Sequence, residues 1–375
     1  MIVQHFLKWI DTAKVSERAA AADALARAYA FSEMSFEERC AAEAALTMLL
    51  DDPSPKVRLA LADSLSLCHH APRQIVNALA SDQPEVAAPM LVRSSQLDDA
   101  DLIDRIVGGA QSTQKLIAMR PLVSAQVCAA IAELGDAEAC VELLGNCGAD
   151  IAAISLKRIA ERHGTRADIR EAMLADRQLA PDTHHLLMTR LGEQLCDAPL
   201  ILALIGKPRA EKITRDACIK ASVALIDHTP SSECTALVEH LRLAGQLTSG
   251  FLVRVVAHGK IDFFGAALVA LSGQKEGRVR PLLANGRDVA LEALFKAAGL
   301  AGATHRVLVA AIHIWREVAM GKRVAGAQEV SWLMLHCINE AKGERDPKLA
   351  ALLSTIHLDL LRENARMHAM EIQAA

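Results

Sequence analysis

Apolar positions along this chain recur at helical spacing, and the breaks between them are turn-like. Residues 1–33 read as one amphipathic segment ending near Phe31. Ser35-x-x-Glu38 then has the spacing of a capping box and predicts a helix start. That helix runs through Ala45, Leu46, Leu49 and Leu50 and stops at Asp51-Asp52-Pro53. Asp52 closes it, Ser54 caps the next helix, and Pro55 fits a first helical turn. Val57, Leu61 and Leu65 recur every four residues and predict one inward stripe.

The pattern then returns. Ala71-Pro72 opens a helix carrying Ile75, Val76 and Leu79, and Pro84-Glu85-Val86 opens its partner, with Pro89 expected to kink or shorten it. A third pair is expected over 98–134, with Leu102, Ile103, Ile106 and Val107 on its first helix. A fourth follows over 136–162, with Cys140, Val141, Leu143 and Leu144, then Ile151, Ile154, Leu156 and Ile159. Two short antiparallel helices per ~30–45 residues is the period of a helical-repeat protein, whose hairpins bury their apolar faces on one another. After Leu195 the period blurs. Helices are still expected over 209–227, 232–243, 249–258, 262–271, 288–299, 304–320, 328–341 and 347–370, the last with Asp346 as its cap. The fold class that follows is all-α: an α-solenoid of HEAT-like antiparallel helical hairpins with a less regular helical C-terminal half. Its parts are an N-terminal segment (1–34), the repeat region (35–195), an irregular region (196–345) and a capping helix with its tail (346–375).

Composition agrees. The chain is 52% hydrophobic but only 3% aromatic, which suits alanine- and leucine-rich helices rather than a sheet. No segment approaches the ~20 apolar residues of a membrane span, and Lys8 and Asp11 argue against a leader. The nine cysteines form no CxxC pair and sit mostly among apolar residues, which suggests a reducing, cytoplasmic setting. Net charge is −9 over residues 1–200 and +5 over the rest. That asymmetry fits ordinary surface variation, or a C-terminal half that meets an acidic partner, or the halves of two copies meeting each other.

The stretch Ala41–Arg58, together with Ala71–Ala80, Gly321–Gly326 and Glu329–Leu333, resembles the DUF2336 proteins, an alphaproteobacterial family of unknown function. The resemblance covers most of residues 35–340. It implies an all-helical, HEAT-like protein and no reaction, so it carries over no catalytic residue.

Chemistry-bearing constellations are thin. His69-His70 and His184-His185 are adjacent pairs whose members point about 100° apart on a helix, unsuited to one metal. Cys140, Cys147 and His163 lack ligand spacing. The Asp98, Asp99, Asp101 and Asp104 cluster at a helix start is explained by the helix dipole. No phosphate loop and no nucleophile elbow is present, and no metal or cofactor is implied. Asp52 and Arg58 suit a ladder joining neighbouring repeats. The binding candidates are the polar residues on or beside second helices: Lys56, Arg58, Arg93, Asn146, Arg158 and Arg162. Trp315, Trp332 and Phe295 read as core, or as anchors for a protein partner if exposed.

The expected function is therefore a non-enzymatic interaction scaffold or adaptor with an unidentified protein partner, no membrane insertion and an open oligomeric state. Nucleic-acid binding through Lys207, Arg209, Lys212, Arg215, Lys220, Arg278, Arg280 and Arg287 ranks lower, since the chain is acidic and poor in stacking aromatics. An enzymatic or ligand site around Glu292, His313, Glu317, Glu329, His336 and Glu340 is the remaining alternative.

Overall fold

The computed structural model describes residue 9 and residues 12–176, 179–339 and 346–374, with side chains described as far as 370. Most of residues 1–11, together with Glu340 and Ala341, lie outside them. The described residues form twenty-two α-helices and no strand. The chain divides into two compact units, Met1–Leu179 and Ala180–Ala375.

The first unit holds α1 (Val15–Phe31), α2 (Phe36–Leu49), α3 (Pro55–Leu65), α4 (Arg73–Ala80), α5 (Pro84–Arg93), α6 (Asp99–Gly108), α7 (Gln111–Ala118), α8 (Ala125–Leu134), α9 (Ala137–Gly145), α10 (Ala153–His163) and α11 (Ala167–Leu174). The odd-numbered helices form one row, in which α1 packs on α3, α3 on α5, α5 on α7, α7 on α9 and α9 on α11. In the other row α6 packs on α8 and α8 on α10. A helix from each row makes a hairpin, and the hairpins stack in sequence order. The expected inward stripe is there: Val57, Leu61 and Leu65 are fully buried, as are Leu79, Val86 and Met90. Val107 and Ile154, counted above in apolar stripes, are instead exposed. In α6 the buried pair is Leu102–Ile106, at i,i+4, so the next residue points about 100° away from it.

Local signals explain most helix starts. Ser35 and Glu38 close a capping box, and Asp98 with Asp101 closes another. Arg73 reaches both Asp98 and Asp101, and Asp99 accepts from the Ser124 hydroxyl, so three of the four carboxylates of that cluster have partners within the fold. Ser54 departs from expectation: its side chain makes no capping bond. The Ser54 N–H itself is held by Asp52 Oδ1 at 2.8 Å. Pro89 sits inside α5, which continues to Arg93 rather than ending there.

Helix ends are closed by side chains from two helices further on. Arg120, just after α7, donates to the carbonyls of Leu91 and Ser94 at the end of α5, at 2.5 and 2.7 Å. Asn146, just after α9, donates to Ala118 and Arg120 at the end of α7, at 2.8 and 2.7 Å. Arg162 of α10 donates to Ala132 and Gly135 at the end of α8, both at 2.8 Å. The last carbonyls of a helix have no partner within it, and a cation there also meets the negative end of the dipole.

The second unit holds α12 (Pro181–Cys196), α13 (Pro199–Ile205), α14 (Lys207–Asp227), α15 (Cys234–Leu243), α16 (Ser249–Ala257), α17 (Ile261–Ser272), α18 (Glu276–Asn285), α19 (Asp288–Ala297), α20 (Gly302–Ala319), α21 (Ala327–Asn339) and α22 (Pro347–Ala374). Its core centres on α16, where every residue from Phe251 to Ala257 is buried, and on Phe263, Phe264 and Phe295. Around α16 pack α17, α20, α21 and α22. The same end-closing device recurs: Arg316 of α20 donates to Leu282, Leu283 and Gly286 at the end of α18. Trp315 is core, its indole N–H on the Val256 carbonyl at 2.8 Å, whereas Trp332 is about half exposed and stacks on His336. Asp346 caps α22 through the Lys348 and Leu349 N–H groups.

Arg120 supplies a direct test. Ser94 is fully buried, so Arg120→Met strands carbonyls that water cannot reach. The expected cost is about 2–4 kcal/mol of unfolding free energy by urea titration, with Arg120→Lys recovering less than half because a single ammonium lacks the fork. A loss under about 0.5 kcal/mol would show that the clamp is dispensable.

Candidate functional site

The structure uses five of the six sequence candidates internally. Arg58 grips Asp82 of the next turn through one guanidinium edge, Nε and Nη2, at 2.5 and 3.0 Å, and donates from Nη1 to the Asp52 carbonyl at 2.6 Å. Asp52 in turn takes Arg18 at 2.8 and 3.1 Å. Burial raises the Asp52 pKa, but the hydrogen bonds and charge of Arg18 and its neighbours outweigh this and hold the carboxyl below its usual range. The ladder expected of Asp52 and Arg58 is present, with each residue reaching a different neighbour. Arg93 pairs with Asp63, and Arg158 pairs with Glu133 at 2.6 Å and Glu161 at 3.3 Å. Asn146 and Arg162 are spent on helix ends, as above. Lys56 is exposed.

The C-terminal carboxylates and histidines are also dispersed. His313 meets Asp288 at 2.7 Å, Arg323 holds Glu317 and Glu329, and His336 lies on Trp332. Among the described residues no group of three His, Cys, Asp or Glu side chains could hold a metal ion.

An open groove in the second unit is a stronger candidate. Helices α12, α13 and α14 enclose about 460 Å³ lined by Met188, Leu191, Leu195, Leu204, Ile213 and Ala217 among others, almost all apolar. The floor is tight because Gly192 faces α14: a Cβ there would meet Cys218 Sγ at 2.7 Å and Thr214 Cγ2 at 3.0 Å. The turn from α13 into α14 passes through Gly206 at φ +74°, a left-handed conformation that glycine adopts without strain. That turn folds α13 back as a wall. Its sequence, Pro-Leu-Ile-Leu-Ala-Leu-Ile, contains no buried residue, and Leu200 and Leu204 are more than 70% exposed. The rim continues into Lys207, Arg209, Lys212 and Arg215, all exposed and none ion-paired among the described residues, alongside Glu211 and Asp216. Sequence reasoning placed the basic residues on a helix but missed α13 and the groove. The available signal was a proline followed by six apolar residues and a glycine.

Behind the groove lies a buried hydrogen-bonded chain. The Ser222 hydroxyl donates to the Cys218 carbonyl at 2.7 Å. His185, 2% exposed, therefore donates from Nε2 to Ser222 Oγ at 3.0 Å and accepts at Nδ1 from His240 Nε2 at 3.2 Å. The chain fastens α12 to both α14 and α15. The Ser222 proton is committed to the Cys218 carbonyl, so this hydroxyl is not activated by His185 as a nucleophile.

A family model described as an uncharacterised protein conserved in bacteria (DUF2336) matches residues 86–336, about two thirds of the chain. The match includes α12 to α14 and begins beyond the Asp52–Arg58 turn. No curated protein and no solved structure matches the chain.

Burial, then the neighbouring His240 and His184, pushes the His185 pKa down to about 4. The unfolded chain takes up a proton near pH 6.5, whereas the folded chain does so only near pH 4. The stabilising contribution of neutral His185 is thus complete above about pH 6.5 and lost as pH falls from there towards 4. Urea titrations at pH 7 and pH 5 are expected to differ by about 2 kcal/mol more in the natural protein than in His185→Gln. Equal differences in the two proteins would remove His185 as the sensitive group.

Proposed function

The chain belongs to the DUF2336 family of bacterial proteins, and we propose that it acts as a non-enzymatic interaction scaffold whose docking site is the groove between α12, α13 and α14. The observation that carries this reading is an open apolar trough beside an unpaired basic rim. Helix-in-groove recognition needs both parts: a trough that takes leucine-sized anchors at i, i+3/i+4 and i+7, and a flank that sets charge preference. The occupant matching them is an amphipathic helix of a partner protein, apolar on one face and acidic beside it. Leu191 and Leu195, at i,i+4 along one wall, and Leu204 and Ile213 on the other, offer the anchoring contacts. The first unit contributes a stacked, internally paired body; its polar ladders are already occupied. Nucleic acid fits less well, because the basic rim borders exposed leucines rather than aromatic rings.

Two synthetic peptides test the reading by fluorescence anisotropy: one amphipathic helix with leucines at groove spacing and a glutamate face, and its lysine-faced twin. The glutamate peptide is expected to bind at least about tenfold tighter, with an affinity that weakens as salt rises. Leu204→Glu with Ile213→Glu is expected to abolish binding without lowering stability, since both residues are exposed. Equal binding of the twins, or binding that survives the double variant, would overturn it. So would a concentration-dependent dimer of the protein itself that Leu204→Glu dissolves, because the occupant would then be a second copy.

A further inference from the structure

The other face of α14 lines a second cavity, rich in charged side chains where the groove is apolar. Helices α14, α16 and α22 enclose about 460 Å³ whose charged lining is Lys220, Arg254, Asp359, Arg362, Glu363 and Arg366, with Asp227 and His258 beside them. On α22 the charged positions 359, 362, 363 and 366 fall at i, i+3, i+4 and i+7, so one helical face points into the cavity.

Arg254 is the informative residue. It is 5% exposed and interrupts α16, a helix whose other residues from Phe251 to Ala257 are buried and apolar or small. Burying a guanidinium is costly unless its donors are used. Here one contact is made, Nη1 to Asp359 Oδ2 at 3.3 Å, long for a charge-assisted bond. The remaining donors of the fork have no partner among the described residues, and the side chain lines the open cavity. Asp359 is already engaged by Lys220 at 2.8 Å. Burial works against the Asp359 charge, but Lys220 and Arg254 outweigh it and hold the carboxyl below its usual range. Asp227 is paired with Lys260 outside the cavity lining. That leaves Lys220, Arg254, Arg362 and Arg366 against Asp359 and Glu363, an excess of two positive charges. His258 adds none: burial lowers its pKa, and Nδ1 donates to the Arg254 carbonyl at 2.8 Å.

We infer that this cavity is a binding site for a small phosphomonoester, with Arg254 receiving the phosphate at the floor and Arg362 and Arg366 closing over it from α22. A phosphomonoester carries about two negative charges at neutral pH and three terminal acceptor oxygens, which match the charge excess and the spare forked donors. The volume is that of a small-metabolite pocket, within the roughly 300–1,000 Å³ of such sites. The site is separate from the groove and stands or falls independently of the docking reading.

The test is isothermal titration of the full chain at fixed ionic strength with glucose 6-phosphate, inorganic phosphate, glucose and sulfate. Glucose 6-phosphate is expected to bind saturably, with no heat from glucose and at least tenfold weaker binding of sulfate. Arg362→Gln with Arg366→Gln is expected to weaken binding at least tenfold while leaving the melting temperature of the free protein unchanged, because both residues are exposed. Arg254→Gln is expected to abolish binding; since Arg254 is buried, the exposed double variant carries the test if that protein does not fold. Inorganic phosphate binding as tightly as the ester would support the phosphate chemistry and assign the cavity to the free anion. No saturable binding of either phosphate, equal binding of sulfate, or unchanged affinity in the double variant would overturn the inference.

Discussion

Helix termini impose the constraint on which both units rest. Short helices have a high proportion of unpaired carbonyls, and most helices here span only eight to twelve residues. Stacking buries those ends, where water cannot satisfy them. The chain answers with a side chain from two helices further on: Arg120 on the end of α5, Asn146 on α7, Arg162 on α8 and Arg316 on α18. The residues so joined lie about 26 to 34 apart in sequence, which is one repeat. The bond is thus both a cap and a joint, and it works only if consecutive hairpins stack in register. Removing one therefore costs more than a surface hydrogen bond, because the stranded carbonyl is the neighbour's.

The same constraint explains why the sequence was legible for the fold and misleading for the site. Capping boxes, proline at first turns and four-residue apolar spacing are local, and they located α2 to α6 and the stripe through Val57, Leu61 and Leu65. Polar residues on second helices carry no local sign of whether they face a partner or a neighbouring repeat. Arg58, Arg93, Asn146, Arg158 and Arg162 were all consistent with a binding face, and each finds its partner 24 to 30 residues away in the chain. Ser54 shows the effect on a smaller scale: its place at the N-cap was readable, but its side chain makes no capping bond, and its own N–H is held by Asp52, which Arg18 also grips.

The second unit was harder to read because its elements are less periodic and its two cavities are tertiary. Helix α13 is seven residues without a polar position, so neither helical nor strand periodicity singles it out. Arg254 did carry a signal, as one cation in an otherwise apolar stretch, yet its meaning depends on Asp359 more than a hundred residues later. A buried charge in an apolar helix is a stronger indicator of a site than a charge on a polar face, since the fold bears a desolvation cost for it.

Helix α14 ties these observations together. It is twenty-one residues long, with one face on the apolar groove, another on the charged cavity, and Ala221 bordering both. Its seat against α12 is fixed by the close approach at Gly192 and by the His185–Ser222 bond, neither of which can lengthen much without stranding a buried polar group. The two cavities thus share one closely packed helix, and Ala221 is the position at which their linings meet. A larger residue at Ala221 would therefore narrow both cavities at once, whereas changes at Leu204 or Arg366, which border only one each, leave the other untouched.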